Sequence, residues 1–302
     1  MATETIERSF QTSQPARLKV SNIRGSISIQ PGADGEIKVL AVKHLDTGNA
    51  ERSRIEISQE TDGRVTVKTH YDHDFGLEWL AGSRPCKVDY TIQVPPACAI
   101  QAHTVSGSTS VKEVQGEVGI KSVSGNVHLA GLTGKTEMDI VSGDVDAERL
   151  SGSLKAEAVS GNVVVRQSNC PTIKASTVSG KLEMETPLGE GPYDFRSVSG
   201  AIQLIVPGET GCRVRMTSIS GRIHTTMPVT TLSSDHGHQS AEVQGGGVGI
   251  NVNTVSGRFS LEHTGEVRPV KQQKNSEERK AILERVASGE ITVQEALKEL
   301  NN

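Results

Sequence analysis

Two short runs carry the side chains best suited to holding a metal ion. His70, Asp72, His73 and Asp74 form one, and Asp235, His236 and His238 form the other. Imidazole and carboxylate together suit zinc, nickel or copper. A metal site also needs a frame that fixes ligand geometry, and neither run has helical spacing or a clear strand register. Both are therefore expected to be solvated loop residues. No H-E-x-x-H, P-loop or G-x-S-x-G elbow occurs.

A third candidate is a set of serines. Ser106, Ser124, Ser142, Ser160, Ser179, Ser199, Ser220 and Ser256 each follow a Val or Ile and precede a Gly. A serine nucleophile needs a paired base, and many equivalent copies without one are not an active site. The expectation is a ladder of hydroxyls that bond turn backbone or the next serine. Calcium is excluded on similar grounds. Only Asp144 places a carboxylate directly after one of these Ser-Gly pairs, and a row of calcium ions needs a row of them.

Cys86, Cys98, Cys170 and Cys212 contain no C-x-x-C spacing, so a thiolate zinc site is not expected. They read as small buried hydrophobes. A polysaccharide-active enzyme would need an acid/base pair on one face, and sugar binders offer aromatic platforms. Rings are sparse here, at 3% of the chain. No catalytic, cofactor or metal residue is expected, and the chain reads as a non-enzyme.

The elements that carry these residues follow from an internal repeat. Val/Ile-Ser-Gly begins at Val105, Val123, Val141, Val159, Val178, Val198, Ile219 and Val255, in steps of 18, 18, 18, 19, 20, 21 and 36 residues. The last step reads as two coils, the middle copy having decayed. Val114-Gln-Gly, Leu132-Thr-Gly and Leu150-Ser-Gly fall 9 residues after the first three copies, so each coil has two related halves. Apolar residues recur 4 and 6 positions after most of these copies, as in Val127/Leu129 and Val145/Ala147. That is the alternation of a strand with one buried face. Glycine supplies the turn, and the Val before the Ser-Gly pair is expected to point inward at the corner.

Strand and turn at fixed coil length make a solenoid. The expected fold is all-β, a parallel β-solenoid (single-stranded β-helix) of about nine 18-residue coils. With 34% hydrophobic residues, few rings and 31 glycines, its core must be thin and built of short β-branched side chains. A lone coil buries too little to offset the entropy of ordering it, so coils must come in series.

Residues 1–100 are expected to form an N-terminal β cap and first coil. Ile23, Ile27 and Ile29 repeat the coil spacing, and Glu36–Val42, Arg54–Ser58, Arg64–Thr69 and Lys87–Val94 read as longer strands. Thr61-Asp62-Gly63-Arg64 is a hairpin turn. Such a cap covers the open sheet edges of a solenoid end. The solenoid proper spans 101–265, within which 232–250 reads as a loop or irregular coil. Residues 266–275 read as a linker and 276–302 as a helical hairpin. Asn275 with Glu278, and Thr292 with Glu295, are its capping pairs, and Ile282, Leu283, Val286, Ile291, Leu297 and Leu300 form its apolar face. About 27 residues cannot hold a core alone, so 276–302 is expected to self-associate or bind a protein partner.

The net charge of −4, with no basic stripe carrying interleaved aromatics, argues against nucleic acid. No apolar run approaches the roughly 18 residues of a membrane span. The polar Met1–Gln14 lacks a signal pattern. A cytoplasmic location is the expectation.

The run VSGNVHLAGLTGKTEMDIVSGDVDAERLSGSLKAEAVSGNVVV resembles the bacterial "putative adhesin" family with β-strand repeats, a group of largely unknown function. The resemblance covers roughly residues 15–265. NSEERKAILERVASGEITVQEALKEL resembles the SHOCT-like helical hairpins that accompany this domain in some envelope-stress proteins, often at the N-terminal side and here at the C-terminal side. The resemblance implies an adhesin-like scaffold or interaction protein that can associate with the envelope. It implies as an alternative a carbohydrate- or envelope-binding module. It supplies no catalytic residue.

Overall fold

A computed structural model describes residues 2–71, 84–235 and 237–265. Asp72, His73, Asp74 and His236 of the two metal-like runs lie outside the described residues, as do the expected linker and the hairpin of 276–302.

The described chain is all β, in two large sheets. The N-terminal strands are β1 (Thr3–Gln11), β2 (Ala16–Arg24), β3 (Ile27–Pro31), β4 (Glu36–His44), β5 (Ser53–Gln59), β6 (Val65–Tyr71) and β7 (Lys87–Val94). Next come strand pairs, one pair to a coil: β8 (Cys98–Ser106) and β9 (Thr109–Lys112), β10 (Val118–Ser124) and β11 (Val127–Ala130), β12 (Thr136–Ser142) and β13 (Val145–Glu148). β14 (Leu154–Ser160) with β15 (Val163–Arg166), β16 (Ile173–Ser179) with β17 (Lys181–Glu185), and β18 (Tyr193–Ser197) with β19 (Ala201–Pro207) continue the series. The last strands are β20 (Cys212–Ser218), β21 (Arg222–Thr225), β22 (Val229–Asp235), β23 (His238–Val243), β24 (Val248–Thr254) and β25 (Arg258–Thr264).

Sheet A has 12 strands in the order β1-β4-β7-β3-β9-β11-β13-β15-β17-β19-β25-β21, and sheet B has 13 in the order β22-β23-β20-β24-β18-β16-β14-β12-β10-β8-β2-β6-β5. Within the coils neighbours are parallel and in register. Ile100 pairs with Val118, Val118 with Thr136, and Thr136 with Leu154. Inward residues alternate along each strand. In β8 they are Cys98, Ile100, Ala102 and Thr104, all nearly unexposed. Leu129, Val145 and Leu154 fill the space between the sheets. The side chains 9 residues after a repeat Val, Val114, Leu132 and Leu150, are buried as expected.

Turn glycines stack one on another. Gly143 has φ of 125°, and a Cβ there would overlap the carbonyl of Gly125 in the preceding coil. Beside this stack Asp144 Oδ1 accepts from the Asn162 backbone N–H at 2.9 Å, and Asn126 Oδ1 accepts from the Asp144 N–H at 3.3 Å.

At the N-terminal end the cap is largely antiparallel, through the pairs β1–β4, β4–β7 and β5–β6. The turn between β5 and β6 holds Gly63 at φ of 80°, with the Arg64 N–H donating to Asp62. The cap joins the solenoid through a polar cluster. Asp89 accepts from Ser26 N at 2.8 Å and Ser26 Oγ at 2.7 Å, and pairs with Lys87 and His44. Burial alone would raise the Asp89 pKa. The hydrogen bonds from Ser26, Lys87 and His44 outweigh it and bring the value down to about 2.

Two expectations are corrected at the other end. The 36-residue step from Ile219 to Val255 holds no decayed coil. Residues 232–250 instead contain most of an antiparallel hairpin, β22 with β23, and the start of β24. The chain then returns, and β24 and β25 insert between the preceding coil and the β20–β21 coil. Spacing along the chain cannot reveal that order in space, because either stacking satisfies the same parallel hydrogen bonds.

Candidate interaction face

The repeat Val does not point inward. Val105, Val123, Val141, Val159, Val178, Val198 and Val255 are 46–49% exposed, and Ile219 is 83% exposed. The inward place belongs to the residue before each Val. Thr104, Ser122, Ile140, Ala158, Thr177, Ser197, Ser218 and Thr254 are all buried. Strand alternation explains this: a residue next to an inward one must face out. The tight turn explains why a small or hydroxyl residue takes most of these positions. Ser197 Oγ accepts from Gly200 N at 2.7 Å, and Thr254 Oγ1 from Gly257 N at 2.7 Å. The hydroxyl so satisfies a turn amide that would otherwise be buried without a partner.

The exposed valines form one column of the outer face of sheet B. Two residues earlier, roughly 6.6 Å along each strand, runs a polar column in register: His103, Lys121, Asp139, Glu157, Ser176, Arg196, Asn253 and Thr217. Between them lies a groove. One stretch, about 690 Å³, runs from Ile23 and Val105 to Val178. A second, about 440 Å³, shares Ala158, Ser176 and Val178 with it and continues to Val198 and Val255. The valine methyls make one wall, the polar column the other, and the strand backbone the floor.

The polar wall is held by ion pairs. Lys121 meets Asp139 at 2.8 Å on the next coil, and Lys155 meets Glu157 at 2.9 Å. Such exposed pairs contribute little stability, but they neutralise the middle of the groove. Burial, then the charges of Lys19 and Lys121, lower the pKa of His103, so its imidazole is neutral at pH 7.

Among the described residues the other candidate histidines stand apart from one another. His70 Nε2 is 2.7 Å from Glu56, and His238 Nδ1 is 3.3 Å from the Thr217 hydroxyl. Among the described residues no three His, Cys, Asp or Glu side chains come together as metal ligands. Ser124 pairs in register with Ser106 and Ser142, so the serines do stack. Ser199 Oγ donates to Val178 O at 3.3 Å and Ser256 Oγ to Val198 O at 3.4 Å, both in a neighbouring turn. The four cysteines are free and buried. Burial pushes the Cys98, Cys170 and Cys212 thiols up to about 12. Tyr90, Tyr193, Phe195 and Phe259 are buried too, so none of these rings faces the groove. No helix among the described residues is long and apolar enough to cross a membrane.

The sequence signal for the valine column was present in the repeat itself. Eight aliphatics beside Ser-Gly are consistent with either face of the sheet. Parity counted along the strand before the turn separates the two, since Met138 and Ile140 face inward and leave Val141 facing out, whereas the inward pair 4 and 6 positions on lies across the turn glycine, which breaks the count.

Three solved structures are similar to this chain. One is a putative adhesin from Bacteroides fragilis, 10% identical over 86% of this chain and 97% of that one, with a TM-score of 0.49. Another is a putative adhesin from Parabacteroides distasonis, 12% identical over 86% and 97%, with a TM-score of 0.41. A putative lipid binding protein from the same organism is 9% identical over 86% and 97%, with a TM-score of 0.33. No curated protein matches the sequence at a significant level. Residues 16–262 match the model of Toastrack DUF4097, and the chain belongs to that family.

Proposed function

We propose that the protein is a non-enzymatic, adhesin-like interaction protein. Its solenoid is a rigid spacer that presents one lateral recognition face, and residues 276–302 bind a protein partner or another copy. The observation that carries this reading is the exposed valine column. A solenoid needs apolar side chains inside, yet these stand about half exposed in an unbroken line. A contiguous apolar stripe on a soluble surface marks an interaction site. The resemblance to envelope-stress proteins adds an association with the cell envelope to the proposal.

The test is removal of residues 275–302. The β-sheet circular dichroism and the melting transition are expected to stay unchanged while the mass of the assembly falls. An unchanged mass by light scattering would refute the assembly role of that segment.

A further inference from the structure

We infer that the valine groove pairs with the same groove of a second copy, the two rods lying parallel about a two-fold axis along their length. This rests on the proposed function and deepens it by naming the partner of the lateral face.

Pitch carries the argument. The eight exposed aliphatics are stacked at the strand spacing of about 4.8 Å, so the column is roughly 34 Å long. An α-helix laid along it repeats every ~5.4 Å, and falls out of phase by about 4 Å over the seven steps. An extended peptide repeats its side chains on one face every ~6.6 Å and fits no better. A second solenoid of the same pitch stays in phase at every coil, and this chain is such a solenoid.

The lateral geometry agrees. A two-fold axis along the rod, placed between valine ridge and groove, drops each ridge into the opposite groove. The polar column of one copy then lies over the serine column of the other. Lys121, Asp139, Glu157 and Arg196 so meet hydroxyls, and no like charges are opposed. The antiparallel alternative sets ridge against ridge and leaves both grooves empty. A strip of ~34 Å by ~13 Å, two outward columns wide, gives roughly 900 Å² of projected area for the pair, before side-chain relief is added. Stable specific interfaces begin near about 1,200 Å², so the dimer is a weak, concentration-dependent one.

The experiment is analytical ultracentrifugation of the full chain over a concentration series, with no ligand added. The wild type is expected to move from one chain mass to two. Val141→Arg with Val178→Arg places two charges in the ridge and is expected to weaken the dissociation constant by at least about tenfold. Val141→Thr with Val178→Thr keeps the shape and guards against misfolding, and it should weaken pairing in the same direction by less. Spin labels on Gln101→Cys or on Lys174→Cys, made separately, then report the direction of pairing. These two sites share one outward column, and parallel rods give both the same intermolecular distance. A wild type that stays at one chain mass throughout, folded valine variants that pair as the wild type does, or clearly unequal label distances would each overturn the inference. Loss of mass on deleting 275–302 but not on valine exchange refutes the pairing and leaves the proposed function standing. The reverse result supports the pairing and removes the assembly role of 276–302.

Discussion

Replacing Gly143 by alanine tests how tightly the coils are stacked. Gly143 sits at φ of 125°, a conformation that costs an alanine about 1–3 kcal/mol. Its new methyl would also overlap the carbonyl of Gly125, whose carbon lies 2.8 Å away from the Cβ position. Two coils must then separate locally. The first hydrogen bonds to break are the one from Gly125 N to Ser142 O, now 3.2 Å, and the one from Val127 N to Asp144 O, now 2.9 Å. Each is worth about 1 kcal/mol net. The sum is roughly 3–5 kcal/mol, which in a chain of this size lowers Tm by on the order of 10 °C. Gly249 provides the control. It has no atom within 4 Å of its Cβ position, so Gly249→Ala should leave Tm within about 2 °C of the wild type. Thermal melts followed by far-ultraviolet circular dichroism measure both. Equal melting of the two variants would refute the reasoning that close approach of backbone at the turn sets the coil spacing.

Further outcomes follow from the same structure. Leu129→Ala removes a fully buried side chain and should cost about 2–5 kcal/mol, whereas Val141→Ala, at 48% exposure, should cost under about 1 kcal/mol; urea titrations compare them. Asp89 titrates near 2 when folded against an ordinary 3.8. Its contribution is therefore complete above about pH 4 and is lost as pH falls from there toward 2. Asp89→Asn should flatten the stability–pH curve across that window. Ellman's reagent at pH 8 should find no reactive thiol in the folded chain and four after denaturation, because all four cysteines are buried and free.

The coil was legible because two constraints repeat together. The inward pairs Val127/Leu129 and Val145/Ala147 announce a strand, and glycine at constant distance announces a turn. Their register pairing, Val127 to Val145 and Leu129 to Ala147, follows directly. The cap strands β4 to β7 were legible for a similar reason, since long alternating runs such as Glu36–His44 read as strands by themselves, whereas the mostly exposed β1 was not. The exposed column was not, because a Val beside a turn satisfies either face on composition. Nor was the threaded last coil: Tyr193 pairs with Ile250, 57 residues on, and no local pattern distinguishes that partner from the coil that follows directly. The hairpin of β22 and β23 was hidden by its own exposure. All seven residues of β22 are exposed, so it lacks the apolar alternation that marks a buried strand.

Methyl nuclear magnetic resonance of the repeat valines, with a soluble paramagnetic agent added, tests the central claim most directly. At dilutions where the chain is unpaired, contacts are expected from Val123 to Val141 and from Val141 to Val159, with all three signals strongly broadened by the agent. Valines that show no such contacts, or that the agent leaves sharp, would contradict it.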